Sequence, residues 1–118
     1  MSALPISEAD WQRTVIDLAR LGGWRVFHAL PASRGGRYAT HQLGDRGFPD
    51  LILARTGRTP IAAELKTQTG RLTVEQREWL DALHGNGAAS GMDVRIWRPD
   101  DLDEVRRTLI GTRERRRR

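Results

Sequence analysis

Asp50-Leu51-Ile52-Leu53-Ala54 and Ile61-Ala62-Ala63-Glu64-Leu65-Lys66 are two apolar runs separated by Arg55-Thr56-Gly57-Arg58-Thr59-Pro60, a segment with the glycine and proline of a turn. Joined symmetrically about Gly57 as a hairpin, they place Asp50 opposite Glu64. Opposed Cβ atoms lie ~4.5–5.5 Å apart, and Glu64 and Lys66, two residues apart, project to one face. Two acids and one amine therefore converge. Carboxylates held this close repel unless a cation lies between them, and an all-oxygen donor set selects a hard ion such as Mg²⁺ or Mn²⁺. Such an ion activates water and stabilises a leaving oxygen, which is the chemistry of phosphodiester hydrolysis.

Upstream, Ser7 is a good N-cap for a helix that ends at Gly22-Gly23. Trp11, Val15, Leu18 and Ala19 recur at helical spacing as its buried stripe, with Asp10, Arg13 and Asp17 on the opposite face. Glu8 precedes Trp11 and Gln12 by about one turn, so it is expected on the buried side, available to complete an acidic cluster. Trp24 to His28 reads as a short strand ended by Pro31. Residues 31–47 form a Gly-, Ser- and Arg-rich loop containing Arg34, Arg37, His41 and Arg46, and a loop of this length favours a DNA-contacting role. Downstream, Thr73-Val74-Glu75-Gln76 fits a capping box that starts a helix with Gln76, Trp79, Leu80 and Leu83 on one stripe. Val94 to Trp97 makes a last strand, and Pro99-Asp100 starts a final helix with Leu102, Val105 and Leu109 inward. The order is α-β-β-β-α-β-α, a single domain over 1–112 with a basic tail at 113–118. Trp11, Trp24, Trp79 and Trp97 all sit on periodic apolar faces and are expected in the core.

Composition narrows the chemistry. The 118 residues contain no cysteine, which excludes thiolate metal sites and disulfides. No apolar run approaches the length of a membrane span, and Met1 to Ser7 lacks the order of a signal peptide, so a cytoplasmic protein with no membrane partner is expected. The net charge is +5, but residues 1–112 carry fifteen basic against fourteen acidic side chains, so the excess sits in Arg115 to Arg118. Of the twenty basic residues only Lys66 is lysine. A compact ammonium can orient a water and offset charge on phosphate where the planar guanidinium fits poorly.

Glu8-x-x-Trp11-Gln12, Gly47-Phe48-Pro49-Asp50, Glu64-x-Lys66, Gly70 and Gln76 together resemble the stand-alone VRR-NUC branch of the PD-(D/E)XK nucleases over roughly residues 6–98. The resemblance implies a restriction-endonuclease-like mixed β-sheet flanked by helices and an active-site set of Glu8, Asp50, Glu64 and Lys66. It also implies the carbonyl of Leu65 as a further metal ligand, with Gln76 close by. The branch includes small phage and bacterial proteins similar to Holliday-junction resolvases, which implies a homodimer cutting branched DNA. The Arg-rich turn between Asp50 and Glu64 and the basic tail depart from the family pattern. Two other readings stand beside this one: a nuclease of ordinary duplex, and a non-catalytic DNA-binding or assembly module using Arg34, Arg37, Arg46 and the tail.

Overall fold

The computed structural model describes residues 5–29, 44–85 and 91–111. Helix α1 (Glu8–Leu21) leads into strands β1 (Arg25–His28), β2 (Leu51–Ala54) and β3 (Ile61–Leu65). Helix α2 (Val74–His84), strand β4 (Asp93–Trp97), a 3₁₀ turn (Pro99–Asp101) and helix α3 (Leu102–Leu109) follow. The order matches the expected α-β-β-β-α-β-α, with the 3₁₀ turn as the one addition. Arg34, Arg37, His41 and the 113–118 tail lie outside the described residues.

The four strands form one mixed sheet in the order β1-β2-β3-β4, antiparallel except for the parallel β3–β4 pair that α2 connects. The pairing of β2 with β3 joins Leu51 to Ala63 and Leu53 to Ile61, the register symmetric about Gly57. One sheet face carries Leu51, Leu53, Ile61, Ala63, Leu65 and Trp97 into a core with Trp11, Val15 and Ala19 of α1 and Val105 and Leu109 of α3. The central strand β3 is buried along its whole length, so its other face, bearing Ala62 and Glu64, is covered as well.

Two indoles tie the layers by polar as well as apolar contact. Trp11 Nε1 donates to the Trp97 carbonyl at 3.0 Å, and Trp24 Nε1 donates to the Leu109 carbonyl at 2.9 Å. Buried N–H groups left unpaired cost about 1–3 kcal/mol each, so these bonds fix where α1 and α3 sit. Trp79 departs from expectation. It is half-buried and packs edge-on against Phe48 at 5.0 Å, with Nε1 donating to the Asp45 carbonyl at 3.3 Å. Its stripe on α2 meets the segment before Asp50 instead of the core, because Leu80 alone on that helix is fully buried.

The segment leading to Asp50 is pressed onto α2. Gly47 has φ +95°, and a Cβ there would meet the Glu75 carbonyl carbon at 2.6 Å. Gly57, in the β2–β3 turn, has φ +84° with open space around it. Gly57→Ala therefore bears only the left-handed backbone penalty, about 1–2 kcal/mol, whereas Gly47→Ala bears that and a backbone clash. Thermal denaturation of both variants should rank Gly47→Ala clearly below Gly57→Ala; equal melting temperatures would show that the 44–49 segment is not held on α2.

Candidate active site

Asp50 stands immediately before β2, behind the buried Pro49. Its Oδ2 accepts the backbone N–H of Leu65 at 2.8 Å, which locks the carboxylate across the end of β3. Glu64 is the one buried charged residue among those described, 1% exposed. Its Oε2 accepts from Gln76 Nε2 at 2.9 Å and lies 3.8 Å from Lys66 Nζ. Its Oε1 is buried with no hydrogen-bond partner among the described residues.

Gln76 is oriented by the helix it begins. Its Oε1 accepts the Thr73 N–H at 2.9 Å, and its own backbone N–H donates to Thr73 Oγ1 at 3.0 Å, completing the capping box. With the amide oxygen engaged by the cap, the amide nitrogen is the atom left to face Glu64. Capping and site duties thus belong to one side chain. Thr73 supports the site through this bond, a role the sequence shows only as the first residue of the box.

Burial raises the Glu64 carboxyl to about 8, with repulsion from Asp50 adding to the shift and the Lys66 charge opposing it. A buried carboxylate oxygen without a partner has two remedies, a proton or a cation. The donors fit a hard cation: two carboxylates, an orphaned oxygen and a nearby backbone, with no sulfur in the chain. Among the described residues, however, no three Asp, Glu or His side chains are gathered closely enough to hold a metal ion.

Glu8 accounts for that shortfall. It is exposed in the first turn of α1, which corrects the expectation that it lies on the buried side. Trp11, Val15 and Ala19 turn inward on α1, while Glu8, one turn before Trp11, stays exposed. Glu8 nonetheless lines a cleft of about 580 Å³ with Gln12, His28, Arg46, Asp50 and Gln76. The cleft opens at the sheet end where Asp50 sits, so Glu8 faces it across solvent. His28 and Gln12 border the same space. Leu65 is fully buried and enters through its backbone.

A mixed sheet between helices, carrying an Asp before one strand and Glu-x-Lys on the next, defines a restriction-endonuclease-like domain of the PD-(D/E)XK nuclease type. A family model, the VRR-NUC domain, matches residues 10–98, and the chain belongs to that family. The match spans Asp50, Glu64, Lys66 and Gln76 and begins after Glu8. No curated protein and no solved structure matched the chain.

The raised Glu64 value has a thermodynamic consequence. Its folded value, about 8, lies above the ordinary 4.5, so the folded state holds the proton more tightly than the unfolded chain. This stabilisation is fully present below 4.5 and is lost as pH rises through about 8. Without divalent ions, the melting temperature should decline across that window, and Glu64→Gln should flatten the decline. A parallel decline in Glu64→Gln would assign it to other groups.

Proposed function

We propose that this protein is a metal-dependent DNA endonuclease that hydrolyses phosphodiester bonds with Mg²⁺ or Mn²⁺ held by Asp50 and Glu64. The observation that carries this reading is the buried Glu64 carboxylate, one oxygen without a described partner, held beside Lys66 and beside the Asp50 and Gln76 that line an open cleft. The chain has no thiolate, and among the described residues no histidine cluster competes for the ion. A bound divalent cation would supply Lewis acidity toward a phosphoryl oxygen and lower the pKa of a water.

The chain's own groups do the rest. Asp50 is held by the Leu65 N–H, leaving its second oxygen for the ion, and the Leu65 carbonyl is the proposed further donor. Gln76 holds Glu64 in one orientation and favours its ionised form through a donated hydrogen bond. Lys66 keeps its ammonium near that carboxylate, where it can orient the attacking water and offset negative charge on the phosphate. Glu8, across the cleft, is placed to act on water or a second ion once DNA fills the space. Arg46, exposed at the cleft wall, contacts the backbone; Arg34 and Arg37 are proposed to do the same. The finer reading, a homodimer acting on branched DNA such as four-way junctions, rests on the family resemblance. Cleavage of linear, flapped and four-way DNA, run beside sedimentation analysis, tests it.

Cleavage should require a divalent ion, with Mn²⁺ able to replace Mg²⁺, and Asp50→Asn or Glu64→Gln should abolish turnover in protein whose circular dichroism is unchanged. Full activity in EDTA would sink the mechanism.

Lys66→Arg separates a positioned ammonium from a plain charge. Removing one preorganised electrostatic group costs on the order of 10²–10³ in rate, about 3–4 kcal/mol. Single-turnover cleavage should fall by that amount while DNA binding in Ca²⁺ stays constant. A Lys66→Arg protein that cuts as fast as the parent would remove Lys66 from the catalytic set.

A further inference from the structure

The turn between β2 and β3 carries Arg55 and Arg58, and the proposed catalytic centre at the other end of those strands makes no use of them. Arg25 opens β1 and pairs with Ala54, the last residue of β2. Arg55 follows directly. The turn closes by a bond from the Arg58 N–H to the Arg55 carbonyl at 3.0 Å, with Gly57 supplying the positive φ, so both arginines emerge from one tight bend. With Gly23, Ala54, Thr56 and Pro60, these three arginines line an open cavity of about 340 Å³.

The cavity has one sign of charge. No carboxylate lines it, and among the described residues none of the three arginines is in an ion pair, whereas Arg13, Arg95 and Arg106 each pair with an acid. Three guanidiniums gathered without an acid repel one another, a cost that an anion offsets. Part of the arrangement is preorganised. The Arg58 guanidinium sits 5.3 Å over the Trp24 ring, and its Nη2 approaches the Thr108 carbonyl at 3.5 Å. Gly23 lies beneath Arg55, where a Cβ would come within 3.8 Å of its Nε.

Among the described residues the cavity also has an exposed path toward Asp50. By strand alternation Phe27 and Ile52, paired in the ladder, share the sheet face of Asp50 and Glu64. Phe27 is 60% exposed, so the β1–β2 part of that face is open. Five residues of extended chain from Asp50 to Arg55 span about 17 Å, or roughly five base pairs of duplex rise.

We propose that Arg25, Arg55 and Arg58 form a second phosphate-binding site that holds the DNA backbone about five base pairs of rise from the catalytic carboxylates. The inference rests on the proposed action on DNA. It assigns an anchoring function to the arginine-rich turn, and places the substrate along β1 and β2.

The test uses the full chain carrying Arg25→Gln and Arg55→Gln, leaving Arg58 because it packs on Trp24. The control is Arg13→Gln with Arg106→Gln, which removes the same charge elsewhere. Binding in Ca²⁺ to a duplex of about 20 base pairs, well beyond the ~5 that separate the sites, is followed against salt. Loss of two phosphate contacts lowers the log–log salt slope by about 1.8. The control should keep the parent slope, and all three proteins should cut at one rate under saturating enzyme. An unchanged slope, an equal fall in the control, or a lost saturating rate overturns the site. A parent that binds DNA with the expected slopes but does not cleave it in either Mg²⁺ or Mn²⁺ would overturn the nuclease reading and leave this site standing. A parent that does not bind DNA overturns both.

Discussion

The register of β2 against β3 is the constraint on which the site depends. It fixes Glu64 on β3, the strand buried along its whole length, and brings Asp50 to the adjoining strand end. A carboxylate there is expensive, and the surroundings offset the cost only in part. Gln76 and Lys66 engage one oxygen; the other has no described partner. That imbalance is what makes the position chemically useful: the group is held rigidly, with one oxygen left for a proton or a cation, next to the Asp50 that lines the cleft.

Rigidity comes from backbone bonds converging on the same strand end. The Trp97 carbonyl accepts both the Lys66 N–H and the Trp11 indole, each at 3.0 Å, joining β3, β4 and α1 at one atom. Asp50 takes the Leu65 N–H from the other side. The capping box of α2 adds Gln76, whose amide is oriented by Thr73 before it meets Glu64. Helix initiation and carboxylate positioning are consequently coupled. Disturbing the first turn of α2 disturbs the acid.

Charge is distributed along the sheet by end. The carboxylate end carries Asp50, Glu64 and the cleft with Glu8; the turn end carries Arg25, Arg55 and Arg58 without an acid. On β4, Arg95 is drawn into a network with its neighbour Asp93 and with Glu104 of α3, each at 2.6 Å, which holds β4 to that helix. A near-neutral body can thus present a strongly basic site, since the whole-chain balance averages over arginines that are paired and arginines that are not.

Much of this was legible in the residues. The apolar runs 50–54 and 61–66, with the Gly57 turn between them, determined the hairpin, its register, and hence the approach of Asp50 to Glu64 and Lys66. Local hydrogen-bonding chemistry at Thr73-x-x-Gln76 determined the capping box. Pattern within one element could not decide what lies beyond it. Glu8 follows the helical period of Trp11 toward the core, yet in the folded chain it stands exposed at the start of α1. Trp79 keeps its stripe, but Phe48 and the 44–49 segment occupy the surface it faces. The second hydrogen bond of Gln76, the clash that makes Gly47 necessary, and the meeting of Arg25 with Arg55 and Arg58 all join residues distant in sequence. Such contacts depend on how strands and helices pack, and only the tertiary structure decided them.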